Sequence, residues 1–315
     1  MSLIIASQME DGFNDGLRAH AIGPTVIAVP EDRPWEAAND ADILLVRPTP
    51  AWRGGRGLDR PAAWPGRVKW VYSASAGVDF YPAWLLDAPL VSCGRGVASD
   101  EIADYVIAAI YAHTKDLESV RARSLEEWRW APLNRVSGTT LGIVGFGAIG
   151  TALAAKALAL GIDVVATRRR TLPSPIPGVT LFDDIVDAVA RADHLVLALP
   201  ATTETRGLIG AELLARAKPG AHLINVARGS VLDQQALIAA LDDGPLGFAT
   251  LDVTEPEPLP AAHPLWTHPK VRLTPHVSSN HTNVRHVLFD KVAANLDRFA
   301  RGEIPGDIVD RAAGY

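Results

Sequence analysis

Leu141-Gly142-Ile143-Val144-Gly145-Phe146-Gly147-Ala148-Ile149-Gly150 does more than any other stretch to restrict what this chain can become. A short apolar run enters G-x-G-x-x-G directly, and an Ala- and Leu-rich segment, Thr151–Leu160, follows it. That order predicts a buried strand, a tight turn and a helix. Gly145 makes the turn, Gly147 lets the backbone approach a pyrophosphate, and Gly150 allows close helix–strand packing. The helix start then offers unpaired N–H groups to negative charge. Gly145, Phe146, Gly147, Ala148, Ile149 and Gly150 are therefore candidate cofactor contacts. The competing reading is a tight turn that binds nothing; the flanking strand and helix favour a dinucleotide.

The remaining sequence repeats this alternation. Near-continuous apolar runs at Leu141–Val144, Val164–Ala166, His194–Leu199, His222–Val226, Phe248–Val253 and Val271–Leu273 read as strands buried on both faces. Such strands form a parallel sheet covered by helices. Earlier candidates are Leu3–Ala6, Thr25–Val29, Ile43–Val46, Lys69–Ser73 and Leu90–Val91, joined by weaker helical segments and loops such as Arg53-Gly54-Gly55-Arg56-Gly57. A long helix is predicted from Asp100 to Glu118, with Ile102, Val106, Ile110 and Leu117 at helical spacing and Ser99 as N-cap. Another is predicted over His281–Arg301, with Val284, Val287, Leu288, Val292, Leu296 and Phe299 on one stripe.

At roughly 150 residues per domain, 315 residues imply about two domains. A hydrophobic content of 48% excludes general disorder, and a net charge of −6 argues against a polyanion-binding surface. Cys93 is the only cysteine, so an intrachain disulfide and a Cys-rich metal site are ruled out; a buried thiol is expected. The N-terminus lacks a basic start, and no apolar run approaches the ~18 residues of a membrane span. A soluble, cytoplasmic protein without nucleic-acid or membrane partners is the expectation.

The second strand of the glycine unit bears on the cofactor. An acid that holds an NAD ribose belongs roughly 20 residues past the motif. Thr167-Arg168-Arg169-Arg170 stands there instead, without a carboxylate. Basic side chains at that place neutralise a 2′-phosphate, so Arg168 and Arg169 point to NADP, with NAD still possible, and Thr167 beside them is a further candidate cofactor contact. Charge-assisted bonds favour NADP by about one to two orders of magnitude. A solvated basic loop is the alternative.

Three further segments fall at predicted strand ends, where sites gather in open α/β sheets. They are Asn225-Val226-Ala227-Arg228-Gly229, Leu251-Asp252-Val253-Thr254-Glu255-Pro256-Glu257-Pro258 and Leu273-Thr274-Pro275-His276-Val277. Taken singly, Arg228 reads as a surface ion-pair partner, Glu257 as an acid in a Pro-rich loop and His276 as a loop histidine. In this order, after a mid-chain glycine motif and before Asn295-Leu296-Asp297-Arg298-Phe299, they resemble the D-isomer-specific 2-hydroxyacid dehydrogenase family. Ser75-Ala76-Gly77-Val78-Asp79 looks like that family's substrate-carboxylate loop.

The resemblance implies that Arg228 grips the substrate carboxylate and polarises its C2 oxygen. It makes His276 the acid/base and Glu257 its carboxylate partner. Glu257 is preferred over Glu255 because the family's acid precedes a Pro, five residues after the aspartate corresponding to Asp252. Asp252 itself would orient the nicotinamide carboxamide, with further cofactor contacts at Leu199, Pro200, Thr205 and Ala227. Backbone N–H groups of Ala76, Gly77 and Val78 would hold the substrate carboxylate. The chemistry suits these groups: an imidazole titrates near neutrality, a nearby carboxylate favours its protonated form, and a guanidinium offers a fixed fork.

The same resemblance implies a Rossmann nucleotide domain over 97–280, inserted into a smaller flavodoxin-like substrate domain made from 1–96 and 281–315. It implies a homodimer built through the long helix and Thr114–Pro132, with Trp128 and Trp130 either at the interface or packed within the chain. The expected reaction is hydride transfer between NADPH and a small 2-keto acid such as glyoxylate or hydroxypyruvate. A nucleotide-sensing binding protein like the C-terminal-binding-protein corepressors, and a phosphite-type dehydrogenase, stay open. Glu257 argues against the formate dehydrogenase branch, which uses glutamine there. His263, His268, His281 and His286 lack the partners of a metal site, and no metal is expected. The polar stretch Ser278-Ser279-Asn280-His281 departs from the small residues common after the family histidine and is expected to alter the pocket.

Overall fold

The computed structural model describes residues 2–53, 58–169, 172–280 and 282–315. The expected loop glycines at 54–57, Arg170 and His281 therefore lie outside the described residues. The chain forms two compact units, one from 1–97 with 281–315 and the other from 98–280.

In the first unit, β1 (Ile4–Ser7), β2 (Thr25–Ala28), β3 (Ile43–Val46), β4 (Trp70–Ser73) and β5 (Leu90–Cys93) form a sheet in the order β2-β1-β3-β4-β5. All its pairings are parallel. The central strands β3 and β4 are buried along their length, whereas edge strand β2 shows only Val26 inward. Four short helices connect them: α1 (Asp11–Arg18), α2 (Pro34–Ala37), α3 (Pro50–Arg53) and α4 (Ala83–Leu86). One face of the sheet carries an aromatic layer, with Trp35–Trp52, Trp52–Tyr81 and Trp64–Trp84 ring centroids 5.0–5.3 Å apart. The opposite face packs Phe13, Leu17, Trp70 and Tyr72 against Leu288, Val292 and Leu296 of the last helix, Thr282–Ala300. Cys93 is a buried free thiol, and burial pushes its pKa up.

The second unit holds seven parallel strands: β6 (Thr140–Val144), β7 (Asp163–Thr167), β8 (Val179–Phe182), β9 (His194–Leu197), β10 (Ala221–Asn225), β11 (Leu246–Leu251) and β12 (Val271–Leu273). Their order is β12-β11-β10-β9-β6-β7-β8. The chain builds outward from β6 through β7 and β8, then restarts at β9 on the other side. That reversal puts the switch point between β6 and β9, where open parallel sheets place ligands at the strands' C-terminal ends. The helices are α5 (Ser99–Lys115), α6 (Ala148–Ala159), α7 (Ile185–Arg191), α8 (Ala211–Leu214) and α9 (Gln234–Asp242), with α10 the Thr282–Ala300 helix of the first unit. Asp184 and Asp233 cap α7 and α9 through side-chain bonds to the first-turn amides.

Several sequence expectations need correction. Ser99 is the first residue of α5 rather than its cap; Ala98 takes the cap position without a side-chain bond. The helix stops at Lys115, where Asp116 turns left-handed, so Leu117 leaves the apolar stripe and is exposed. On α10, Val287 faces solvent because Leu288, Val292 and Leu296, spaced four apart, already fill the contact with the sheet. The apolar runs ending in Leu199, Val226 and Val253 overshoot their strands, since these residues stay buried at the sheet's rim after the ladder has ended. Edge strand β8 has no counterpart among the expected strands; half-buried and preceded by Pro-rich sequence, it carries little apolar signal.

Trp128 and Trp130 are 81% and 86% exposed, so neither is packed into the core of its own unit. Every residue from 116 to 135 is exposed. Among the described residues, no helix is long and apolar enough to cross a membrane.

Candidate active site

The glycine turn takes the form its sequence requires. Gly145 has φ +101°, and a Cβ there would lie 2.6 Å from the Ala198 carbonyl, so only glycine lets β6 turn this close to the end of β9. Gly150 lies against the Gly145 carbonyl and the Phe146 ring, as close helix–strand packing demands. Gly147 differs: a Cβ there would meet no atom of the described residues within 4 Å. Packing does not require a glycine at 147, and a cradle kept free of side-chain bulk at the start of α6 is what a pyrophosphate needs. Ala148 and Ile149 open that helix.

At the end of β7, Thr167 is buried and its carbonyl accepts from the amides of Gly145 and Phe146. Arg168 folds back, donating to the carbonyls of Leu172 and Pro173. Arg169 lies 3.7 Å from Glu204. After β9, Leu199 is buried, and the Thr205 hydroxyl donates to the Pro200 carbonyl at 2.7 Å while accepting from the Thr202 amide. Thr205 therefore builds the turn that presents this rim.

The three expected catalytic side chains come from the ends of the neighbouring strands β10, β11 and β12. After β10, buried Asn225 organises the turn: its Oδ1 accepts from the Ala227 amide and its Nδ2 donates to the Arg228 carbonyl. Arg228 is half-buried and extended, with Nη1 on the Ala227 carbonyl at 2.8 Å. Gly229 is the tightest point: a Cβ would fall 1.9 Å from the Thr254 carbonyl carbon. The Arg228 turn thus touches the loop that follows β11.

That loop separates the two acids. Glu255 is held at its backbone by both ends of the Gln234 side chain, and its carboxylate lies 4.0 Å from Arg206. Glu257 reaches His276, with Oε1 2.8 Å from Nδ1. Because a carboxylate only accepts, Nδ1 carries the proton and Nε2 is left for proton transfer. Both side chains are about one-third exposed, so the pair meets solvent. His276 has φ +53°, a left-handed conformation that costs a non-glycine residue roughly 1–2 kcal/mol. It is held there by Asp252, whose carbonyl accepts from the His276 amide at 2.9 Å. The Asp252 carboxylate, 1% exposed, accepts from the amides of Val277 and Ser278 and from the Thr274 hydroxyl. Asp252 is thus the template on which the His276 turn folds, and Ser278 is buried as part of it.

Sequence reasoning gave no role to Asn225, Gln234, Glu204, Thr274 or Tyr105, whose phenol lies 2.6 Å from the Thr274 hydroxyl. Asn225 and Thr274 stood inside motifs already singled out; Glu204, beside Thr205, and Gln234, shortly after Arg228, belong to no motif, and Tyr105 lies far from the site in sequence. In the first unit, the loop over Ala76, Gly77 and Val78 follows β4 and is held at its start by Gly94, whose amide donates to the Ser75 carbonyl. Of the other histidines, His263 accepts from the Leu265 amide, His268 contacts Asp242 and His286 is exposed. Among the described residues, no group of three or more His, Cys, Asp or Glu side chains could hold a metal ion.

Residues 107–278 match the family described as D-isomer specific 2-hydroxyacid dehydrogenase, NAD binding domain. The chain is 33% identical over 297 residues to the glyoxylate/hydroxypyruvate reductase A of Serratia proteamaculans, a match covering 90% of this chain and 91% of that protein. It superposes on the D-isomer specific 2-hydroxyacid dehydrogenase of Xanthobacter autotrophicus, solved with NADPH and MES, with TM-score 0.79, 31% identity and coverage of 100% and 99%. A NADPH-dependent glyoxylate/hydroxypyruvate reductase from Sinorhizobium meliloti, solved with NADP and sulfate, gives TM-score 0.78 at 27% identity over the whole of both chains.

Proposed function

Because the chain belongs to the D-isomer specific 2-hydroxyacid dehydrogenase family, we propose that it reduces a small 2-keto acid, such as glyoxylate or hydroxypyruvate, with NADPH. The observation that carries this reading is the 2.8 Å contact of His276 with Glu257, one strand end away from the loop on which Arg228 sits. The cofactor's chemistry is hydride delivery to C2. His276 gives a proton from Nε2 to the oxygen at that carbon, and Glu257 steadies the imidazolium through Nδ1. Arg228 places fixed positive charge where the oxygen becomes negative and binds the carboxylate. The loop over Ala76, Gly77 and Val78 is assigned to substrate binding as well. We assign 98–280 to nucleotide binding, through residues 145–150 and the rims after β7 and β9, and 1–97 with 281–315 to substrate binding.

Support for NADP over NAD comes from Arg168 and Arg169 directly after β7, a segment that carries no acid of its own to hold a free ribose. Turnover of NADPH against a panel of 2-keto acids tests the reading, with kcat/KM for NADPH expected about 10–100-fold above that for NADH. Tight NADPH binding without turnover of any keto acid would favour a nucleotide sensor instead.

The exposed stretch 116–135 supports a homodimer. Leu117, Val120, Leu125, Trp128, Trp130 and Leu133 face solvent there without a core of their own, and a second copy is the partner that would cover them. Sedimentation of the chain and of a Trp128→Ser, Trp130→Ser variant checks this: dimer for the first, monomer for the second. A reductase drawing on NADPH belongs with that pool in the cytoplasm.

A further inference from the structure

The hydrogen-bond chain behind His276 has a direction. Thr274 Oγ1 lies 2.7 Å from Asp252 Oδ1 and 2.6 Å from the Tyr105 hydroxyl. A hydroxyl carries one hydrogen. The Asp252 carboxylate, which also takes the Val277 and Ser278 amides, only accepts, so Thr274 spends its hydrogen on Asp252. Tyr105 must then donate to Thr274. Burial pushes the Tyr105 phenol up, with the Asp252 charge adding to it and the Thr274 bond opposing, so the phenol stays protonated at neutral pH. The result is an ordered relay, Tyr105 O–H to Thr274 O–H to Asp252 carboxylate, ending at the turn that holds His276 left-handed.

We propose that Tyr105 and Thr274 are positioning residues for the proposed reductase: the relay from α5 through Thr274 fixes the Asp252 carboxylate and thereby aims the His276 ring at Glu257 on one side and at substrate on the other. The parts of this relay lie far apart in the chain, 169 residues between Tyr105 and Thr274, yet all belong to one unit. Neither hydroxyl touches a reacting atom. Their effect runs through the backbone: Val277 and Ser278 are bound by the Asp252 carboxylate, and His276 by the Asp252 carbonyl. A carboxylate free to rotate would release those amides and let His276 leave a conformation that histidine does not prefer. This also gives the buried Asp252 a role in the turn distinct from the cofactor contact implied by resemblance.

The inference rests on the reductase reading for its kinetic consequence but not for its structural one. Tyr105→Phe removes only the first donor and keeps the ring, which packs from α5 against the core of its unit. It is expected to lower kcat about fivefold to tenfold with KM for the keto acid unchanged, since the loss of a single buried bond has that size. Thr274→Val cuts the relay at its middle and is expected to cost about 100-fold in kcat, while Thr274→Ser, which keeps the hydroxyl, restores it. Adding Tyr105→Phe to Thr274→Val should change nothing more, because the phenol then has no relay to feed. A second readout needs neither cofactor nor substrate: the downfield Nδ1–H resonance of His276, the signature of its bond to Glu257, should weaken or broaden in Tyr105→Phe. An unchanged resonance and unchanged kcat in that variant would overturn the relay, whatever Thr274→Val does to folding. A wild-type protein that turns over no keto acid would sink the reductase reading and leave the resonance to decide the relay.

Discussion

Acid is expected to loosen the 98–280 unit through three histidines that take no part in the chemistry. His194 on β9 and His222 on β10 are register partners, and Phe248 on β11 is the next rung. His113 of α5 covers them, its ring 4.4 Å from His222 and stacked on Phe248 at 4.8 Å, with the Arg272 guanidinium 5.4 Å from the Phe248 ring. His222 shares a 2.9 Å bond with Thr250, whereas neither ring nitrogen of His194 has a hydrogen-bond partner among the described residues. Burial, with His113 adding to it and Asp193 opposing, pushes the His194 imidazole from the ordinary 6.5 down to about 4. Asp193 is itself engaged by Lys218 at 2.6 Å. Burial first, and then His113, His194 and Arg272, holds His222 well below the usual value. His113 is lowered by burial and by Arg272 against Asp116.

The sign follows from proton counting. Between pH 6.5 and about 4 the unfolded chain binds a proton at position 194 that the folded chain refuses. Stability is therefore whole above about pH 6.5, falls as pH drops, and levels off near 4. A gap of about 2.5 units at ~1.36 kcal/mol each amounts to about 3 kcal/mol for His194 alone, of which about 2 is reached by pH 5. Domains have only about 5–15 kcal/mol in total, so the loss is large. Urea unfolding followed by far-UV circular dichroism at pH 8 and pH 5 measures it, and amide exchange in β9 and β10 locates it. Ordinary carboxylates, with pKa values near 4, contribute little above about pH 5. His194→Leu, which removes a ring without hydrogen bonds, should take about 2 kcal/mol out of the pH 8-to-5 difference. If the variant loses as much stability as the wild type over that interval, the reasoning is wrong.

Arg228→Gln is expected to cut kcat/KM for keto acids by about 10²–10³, the usual loss for one fixed donor at a developing oxyanion, with NADPH affinity by fluorescence titration unchanged. Glu257→Gln, which leaves His276 without a charged partner at 2.8 Å, should lower kcat for keto-acid reduction at least tenfold with NADPH affinity unchanged; an unchanged kcat would remove Glu257 from the mechanism. Gly229→Ala puts a methyl 1.9 Å from the Thr254 carbonyl carbon, so the Arg228 turn and the acid loop must part; a lower melting temperature and a fall in kcat of at least tenfold are expected, checked by calorimetry and steady-state rates.

What the sequence disclosed and what it hid divide along a physical line. The buried strands of the larger sheet showed as apolar runs because both faces of a covered parallel sheet exclude water, and the glycine turn showed because Gly145 and Gly150 answer steric demands that no other residue meets. Edge strand β8 was invisible for the converse reason: half-buried, it needs few apolar residues. The strand ends were overrun at Leu199, Val226 and Val253 because burial at the rim outlasts the ladder, and composition reports burial rather than hydrogen bonding.

At the site, both Glu255 and Glu257 precede a Pro, and only the family resemblance, through the distance from Asp252, favoured Glu257; the geometry separates them by what each carboxylate reaches: His276 for one, the neighbourhood of Arg206 for the other. The support behind the site was not legible. Gln234 reaches Glu255 across 21 residues, and Tyr105 reaches Thr274 across 169, so neither pairing leaves a period or a motif. Hydrogen bonds of this kind depend on which hydroxyl has its hydrogen free, a property of the assembled neighbourhood. The side chains assigned to the chemistry cluster at strand ends and so share short sequence motifs, while those proposed to aim them come from wherever the fold brings a donor within reach. A chain can therefore keep every recognisable motif of its family and still differ in how firmly its imidazole is held, and α5, which supplies both Tyr105 to the His276 turn and His113 to the acid-sensitive cluster, is where such a difference would originate.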